Sequence, residues 1–412
     1  MTGTATQHLA NNALERILSG LQPPGPAPDD EPWHGESLAS GAAGIALPHI
    51  ERAHRERHPH LQDHRWGMAH QWVQAAGAAG VSTTNSCGLF LGVPAVTFTL
   101  YTAGRYRATA SRLLGETVAL THRRTDDATG RLSTDEPATF AEYDTLFGLT
   151  GLGALLLAIA PGEDALQRVL THLVSLTWPR TVQDCTVPGW WVSHDPHRGA
   201  SEHFPGGHAN FGMAHGMAGI LALLAAAKRA EITVDGHDEA ILTLLEHLDY
   251  WAQDGPAGPW WPEHISLSEL TSGRPHPCGP ARPSWCYGTP GIARAGQLAA
   301  LALGDKDSQA FFEHALDRCL SDDAQLHRII DAGVCHGWAG LFQTTWRAAT
   351  EARSPRLAAH LPRLAEALAT NAELGTRGRG LLDGTAGTAL ALMTATTGTS
   401  PATGWDTCLL IV

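Results

Sequence analysis

The sequence predicts an all-α protein built as a double ring, with seven buried inner helices and seven outer ones facing solvent. Three observations predict it. A glycine pair, G-x-x-G or a near match, recurs seven times along 412 residues. Each copy opens a segment that is apolar nearly all round, as a buried helix requires. Between the copies lie segments whose apolar residues fall at i, i+3, i+4 and i+7, the stripe of a one-sided helix.

The copies begin at Gly41, Gly92, Gly148, Gly216, Gly288, Gly337 and Gly384, at spacings of 51, 56, 68, 72, 49 and 47 residues. The second is degenerate, with Ala95 where the later glycine should stand. In a chain with 44 Gly, about four or five such pairs arise by chance. The weight therefore rests on the apolar segment after each copy, such as Leu152 to Leu157 and Ile220 to Ala225. The one-sided stripes include Leu166, Val169, Leu170 and Leu173, then Ile241, Leu244, Leu245 and Leu248, and Leu357, Leu361, Leu364 and Leu368. They place outer helices near 5–19, 65–79, 106–122, 163–177, 237–252, 308–320 and 354–372. Glycine at each inner start lets neighbouring backbones approach where the ring is crowded. The inner N-termini then gather at one end, where their orphan N–H groups favour negative charge.

Strand signals are sparse. Val96 to Tyr101 alternates weakly, and 123–142 is polar and turn-rich. The stretches 178–210 and 254–285 widen the third and fourth intervals. The first is too rich in Gly, Pro and Trp for helix, and both predict elaborated loops over the anion-favouring end, with room for a small β-containing insertion. The whole of 1–412 is expected to form one domain.

The formal net charge of −13 and a pI near 5.9 argue against a nucleic-acid or anionic-membrane binder. Met1 to Gln7 has no basic and then apolar stretch of the kind that marks a signal peptide. The longest clean apolar run, Met217 to Ala227, is shorter than the roughly 18–20 residues a membrane span needs. A soluble, cytoplasmic protein without a disulfide framework is expected. Its seven cysteines then raise the question of metal binding or catalysis.

Two cysteines stand apart. Trp285-Cys286-Tyr287 and Cys335-His336 immediately precede the fifth and sixth copies. Equivalent positions of consecutive ring repeats converge, so Cys286, Cys335 and His336 offer two thiolates and one imidazole to a Zn²⁺ ion. Three protein ligands leave a fourth position open, as in a catalytic site. Two thiolates cancel the charge of the ion. A third, from a substrate, would make the site a poor Lewis acid that still keeps the thiol ionised and nucleophilic. Small buried packing residues are the competing reading, and Cys319, on an apolar stripe, keeps it.

Other groups could move protons at the same end. His215 directly precedes the fourth copy, Asp144 lies four residues before the third, and Arg282 lies four before Cys286. His215 is an acid/base candidate or a satisfied structural His. Asp144 could cap a helix or orient a catalytic group. Arg282 could stabilise an oxyanion or pair with a carboxylate. His194, His197, His203 and His208 flank this end through the long loop and could bind metal, although their spacing is irregular.

These residues resemble the lanthionine synthetase C family of lanthipeptide cyclases. The resemblance rests on Ala214-His215-Gly216, on Arg282-Pro-Ser-Trp285-Cys286-Tyr287-Gly288, on Cys335-His336-Gly337-Trp-Ala-Gly340 and on Trp405-Asp-Thr-Cys408. It implies an α/α toroid, with zinc on Cys286, Cys335 and His336. It implies Michael addition of a peptide Cys thiolate to dehydroalanine or dehydrobutyrine, forming lanthionine or methyllanthionine. His215 matches the family's acid/base histidine, and Asp144, Arg282 and Tyr287 match its other site residues. The implied partners are a dehydrated precursor peptide with its leader and a separate dehydratase. Competing readings are glutathione addition to dehydroamino acids, a prenyltransferase-like thiol alkylation, or a peptide-binding scaffold with a structural zinc. The elaborated loops, with Trp190 and Trp191, are candidates for peptide contact.

Overall fold

The computed structural model describes residues 3–21, 23–25, 33–134, 136–276 and 279–412. One-sided and buried helices alternate along it as the sequence predicts. In chain order they are α1 (Gly3–Gly20), α2 (Ala42–Arg55), α3 (Pro59–Gly77), α4 (Val93–Ala103) and α5 (Arg107–Leu132), then the one-turn α6 (Phe140–Tyr143). Next come α7 (Leu149–Ile159), α8 (Asp164–Ser175), α9 (Met217–Arg229), α10 (His237–Trp251) and the short α11 (Leu267–Ser272). The chain ends with α12 (Thr289–Leu303), α13 (Lys306–Ser321), the short α14 (Asp323–Leu326), α15 (Trp338–Glu351), α16 (Arg356–Thr370) and α17 (Thr385–Thr397). Strands β1 (Arg180–Val182) and β2 (Cys185–Val187) form one antiparallel pair, β3 (His208–Asn210) and β4 (His264–Ser266) another. Both pairs fall in the widened intervals, so the small β-containing insertion is present.

Two expectations change. Residues 96–101 are helical, inside α4. The weak alternation came from threonines whose hydroxyls bond back to carbonyls one turn earlier, Thr97 to Val93 and Thr99 to Ala95, which lets polar residues sit in a buried helix. The polar stretch from 123 also continues α5 to Leu132. Its inner face is buried through Arg124, Thr125 and Ala128, and the Arg124 guanidinium donates to the carbonyls of Phe147 and Ala141.

The chain divides into two compact units. The first is Met1–Thr117 with Ile329–Thr350 and Ser354–Cys408; the second is Val118–Arg328 with Glu351–Arg353 and Leu409–Val412. In the first, α17 packs on α2 and α2 on α4, with α1, α3 and α16 covering them. In the second, α7 packs on α9 and α9 on α12, covered by α8, α10 and α13.

The repeat has a physical cause that differs from the expected one. At five copies the second glycine faces the carbonyl six residues earlier in its own loop. A β-carbon there would stand 2.1 Å from the Leu38 oxygen at Gly44, 2.6 Å from Met213 at Gly219, and 2.0 Å from Trp285 at Gly291. At Gly340 it would stand 1.9 Å from Val334, and at Gly387 2.0 Å from Leu381. The glycine admits the loop that leads into its own helix, rather than a neighbouring helix backbone. The same folding-back consumes N–H groups expected to be orphans. In α15 the amides of Trp338, Ala339 and Gly340 donate to the carbonyls of Asp331, Ala332 and Gly333. In α17 those of Thr385, Ala386 and Gly387 donate to Gly378, Arg379 and Gly380. An anion at these helix starts would therefore find its expected donors already engaged.

Neighbouring loops are also stitched together. Thr145 N–H donates to the Ala214 carbonyl at 3.0 Å, and Ala214 N–H to the Cys286 carbonyl at 3.3 Å. In the first unit, Cys335 N–H donates to Leu382 and Leu382 N–H to Ala39, both at 3.0 Å. The helix-entry loops that carry the candidate site residues are thus fixed against their neighbours within each unit.

Candidate functional site

The second unit holds His215, Asp144, Arg282, Tyr287 and Cys286. Asp144 follows α6 and is fully buried. Its Oδ1 accepts from the N–H groups of Phe147 (2.6 Å) and Gly148 (2.8 Å), which shapes the turn into α7. Its Oδ2 lies 2.5 Å from Nδ1 of His215. Asp144 is therefore not the cap of α7, whose N-cap is Gly148 without a side-chain bond; one oxygen shapes the turn before that helix and the other faces the histidine. A carboxylate on Nδ1 places the ring proton there and leaves Nε2 as the working nitrogen. The imidazole also lies against the Phe140 ring, with centroids 5.2 Å apart and planes 17° from parallel.

His215 and Tyr287 line an open cleft of about 560 Å³. Its other walls come from the elaborated loops: Asp195 to Arg198, Ser201, His203 and Phe204 from one, Glu263 and His264 from the other. Those loops therefore frame the candidate site as expected, but Trp190 and Trp191 do not. Each is 1% exposed: the Trp191 indole donates to the Gly206 carbonyl, and the Trp190 ring meets His247 edge-on. His197 and His203 reach the cleft, whereas His194 and His208 pack on Phe140. Burial pushes the His208 pKa down to about 3, which keeps its ring neutral.

Cys286 is buried beside the cleft at the entry to α12. Its thiol lies 3.6 Å from the Ser284 hydroxyl, which also accepts the N–H groups of Tyr287 and Gly288. Arg282 lines an adjoining cavity with Arg328 and Glu263. Burial raises the Glu263 pKa, helped by Cys286 and opposed by Arg282 and Arg328. Burial also raises the Tyr287 pKa, so its phenol keeps its proton.

The first unit holds Cys335 and His336, both partly exposed, at the entry to α15. Two carboxylates flank the imidazole. Asp331 Oδ2 is 3.4 Å from Nε2, and Asp383 Oδ1 is 3.9 Å from Nδ1. Asp331 is held in turn by the Gly333 N–H on its other oxygen, at 2.9 Å. Cys319 behaves as packing: it is buried in α13, and burial pushes its thiol pKa up to about 12.

Four residues here were not singled out in the sequence. Asn210, whose Nδ2 lies 3.4 Å from the Tyr287 hydroxyl, and Asp331 share a register with Arg282, nine residues before the second glycine of their copies, and that register was a usable signal. Phe140 and Glu263 carried none, since their neighbours come from distant loops.

Comparison with known proteins adds three findings. The family described as lanthionine synthetase C-like protein matches residues 32–410. The nisin biosynthesis protein NisC of Lactococcus lactis subsp. lactis is 25% identical over 217 residues, which is 50% of this chain and 49% of that protein. The match thus spans about half the length of that curated relative. A solved structure of a nisin cyclase aligns with a TM-score of 0.77 at 19% identity, over 98% of each chain. At that identity the likeness speaks for the fold, which is the all-α, α/α-toroid class that the alternating helices predict.

Proposed function

Because the chain belongs to the lanthionine synthetase C-like family, we propose that it is a zinc-dependent lanthipeptide cyclase. The observation that carries this reading is the His215–Asp144 pair, which opens with Tyr287 onto a cleft framed by the elaborated loops beside Cys286. In this reading Cys286, Cys335 and His336 are the residues that would hold the ion. Two thiols and an imidazole suit Zn²⁺ in chemistry, and the two cysteines occupy one register of consecutive repeats. Zinc, when bound, would keep the cysteine thiol of a substrate peptide deprotonated near neutral pH.

The chain's own residues then have distinct tasks. The reaction forms a carbon–sulfur bond at Cβ of a dehydroalanine or dehydrobutyrine, and the alkene π pair moves toward the neighbouring carbonyl as an enolate. The proton released by the thiol is balanced by one delivered to Cα. We assign that delivery to Nε2 of His215, with Asp144 holding the ring through Nδ1. Arg282 and the Tyr287 phenol supply positive charge and a hydrogen-bond donor for the enolate oxygen. The cleft takes an extended peptide segment, and the full substrate would be a dehydrated precursor with its leader, supplied by a separate dehydratase in the cytoplasm. No helix among the described residues is long and apolar enough to cross a membrane. We read 1–412 as one cyclase domain.

Ring closure leaves the peptide mass unchanged and consumes a thiol, so thiol labelling of a dehydrated Cys-containing peptide measures it. Wild-type protein should consume thiols and carry about one zinc per chain by elemental analysis. Cys286→Ala should lose both. A zinc-free variant that still closes rings at the wild-type rate would overturn the metal assignment. Mass gain from added glutathione would point to the intermolecular reaction instead.

A further inference from the structure

We propose that Asn210 is a positioning residue that aims the phenolic proton of Tyr287 into the cleft. This rests on the cyclase reading and assigns a task within it.

Asn210 ends β3 and is fully buried. The strand pairing sets it opposite His264, and the next residue, Phe211, donates its N–H to the Glu263 carbonyl, so the backbone here is pinned by the loop that forms one cleft wall. The side-chain amide has two ends, and the surrounding donors decide which way it lies. The backbone N–H of Gly212 can only donate, and it points at Oδ1 at 2.9 Å. The oxygen is thereby committed, and the NH₂ end must face the other way. It faces Tyr287, with Nδ2 3.4 Å from the phenolic oxygen.

That direction has a consequence for Tyr287. An amide nitrogen only donates, so the phenolic oxygen is the acceptor in this contact, and its own hydrogen must point elsewhere. Tyr287 and His215 line the same cleft, with ring centroids 6.1 Å apart. The O–H is thus left to donate into the space where substrate lies. Were the amide reversed, Tyr287 would spend its proton on Oδ1 and offer the substrate only lone pairs. Asn210 does not itself line the cleft, so it acts through the phenol. The tight turn after it keeps the arrangement: a β-carbon on Gly216 would stand 2.5 Å from both the backbone oxygen and Oδ1 of Asn210, so only glycine lets the loop close on the amide.

A double-mutant cycle tests the inference. Asn210→Ala, Tyr287→Phe, the double variant and Asn210→Asp are compared by thiol consumption on one dehydrated peptide with a single cysteine. Tyr287→Phe should lower kcat about a hundredfold, as loss of one oxyanion donor does. Asn210→Ala should lower kcat about tenfold with KM unchanged, and in the Tyr287→Phe background it should cost less than about twofold. Asn210→Asp keeps an acceptor for Gly212 but turns the phenolic proton back on itself, so it should fall below Asn210→Ala. It also carries the test if the alanine variant does not fold. Equal losses from Asn210→Ala in both backgrounds, or Asn210→Asp as active as wild type, would overturn the proposal. A readout without turnover stands beside these. The chain has five tyrosines, so 3-fluorotyrosine labelling yields a five-line fluorine spectrum in which Tyr287→Phe identifies one line. Asn210→Ala or Asn210→Asp must shift that line, and an unmoved line overturns the contact. Wild-type protein that consumes no thiol would instead overturn the cyclase reading, while the fluorine line still decides the Asn210 contact.

Discussion

Asp144 shows how one side chain can serve two demands that look like alternatives. Its two oxygens face different groups, so turning it to an asparagine changes them unequally. The amide would keep an oxygen for the N–H groups of Phe147 and Gly148. It would then present an NH₂ to His215 and force the ring proton onto the cleft-facing nitrogen. Asp144→Asn should therefore keep its fold and zinc and lose about 10²–10⁴ in kcat, the range of a positioned acid/base group. His215→Ala should lose a similar factor, and the two losses should not multiply, because the residues act as a unit. Multiplying losses would separate them. At the candidate metal centre the corresponding group is Asp331. Asp331→Ala should weaken zinc binding about 10–100-fold, as loss of a carboxylate beside a liganding His does; competition with a chromophoric chelator measures it. Cys286, Cys335, His336 and His215 were legible because each stands beside a glycine copy, and Arg282 because it closely precedes Cys286. Asn210 and Asp331 lie as far before their copies as Arg282 does, but without that register each reads as an ordinary polar turn residue.

At the scale of the helix and its entry loop, the repeat was legible in sequence and its reason was not. Spacing alone finds the copies, but which backbone a glycine admits depends on the path of the preceding loop. That path leaves its mark on stability. A β-carbon at Gly340 would stand 1.9 Å from the Val334 carbonyl, whereas one at Gly162 meets nothing within 4 Å. Gly340→Ala should therefore cost about 1–3 kcal/mol or more through forced backbone shifts, and it should disturb Cys335 and His336, which lie in the displaced loop. Gly162→Ala should be close to neutral. Denaturant midpoints of the two variants check this, and equal midpoints would remove the packing explanation of the repeat. The threonine-bearing α4 and the polar end of α5 mark where periodicity misled. In both, hydrogen bonds back along the helix or to a neighbouring loop offset the cost of burying polar groups.

Across the whole molecule, alternation of buried and one-sided helices was enough to foresee the fold class, because helical period is a local property of the chain. The segments between the helices were legible only as length and composition. The interior nonetheless accounts for several of the 23 histidines. His49 and His208 are buried and His247 is largely enclosed, and desolvation lowers their pKa values from 6.5 to about 4, 3 and 4. Each is neutral in the folded protein where the unfolded chain would charge it. As pH falls below about 6.5 the unfolded state takes up protons that the folded state refuses, so stability present at neutral pH is lost progressively toward about pH 4. At 1.4 kcal/mol per pKa unit the full loss is roughly 3–5 kcal/mol per group, the larger figure belonging to His208. His247 offers the cleanest test, since burial is the sole cause of its shift and its ring lies between Trp190 and Phe211. His247→Phe keeps an aromatic ring in that gap and removes the titration. Urea unfolding at pH 7 and pH 5 should show a smaller loss of stability in the variant than in wild type. Identical losses would mean that His247 is charged at no greater cost in the folded protein than outside it, and the acid sensitivity would then have to come from His49, His208 or the carboxylates.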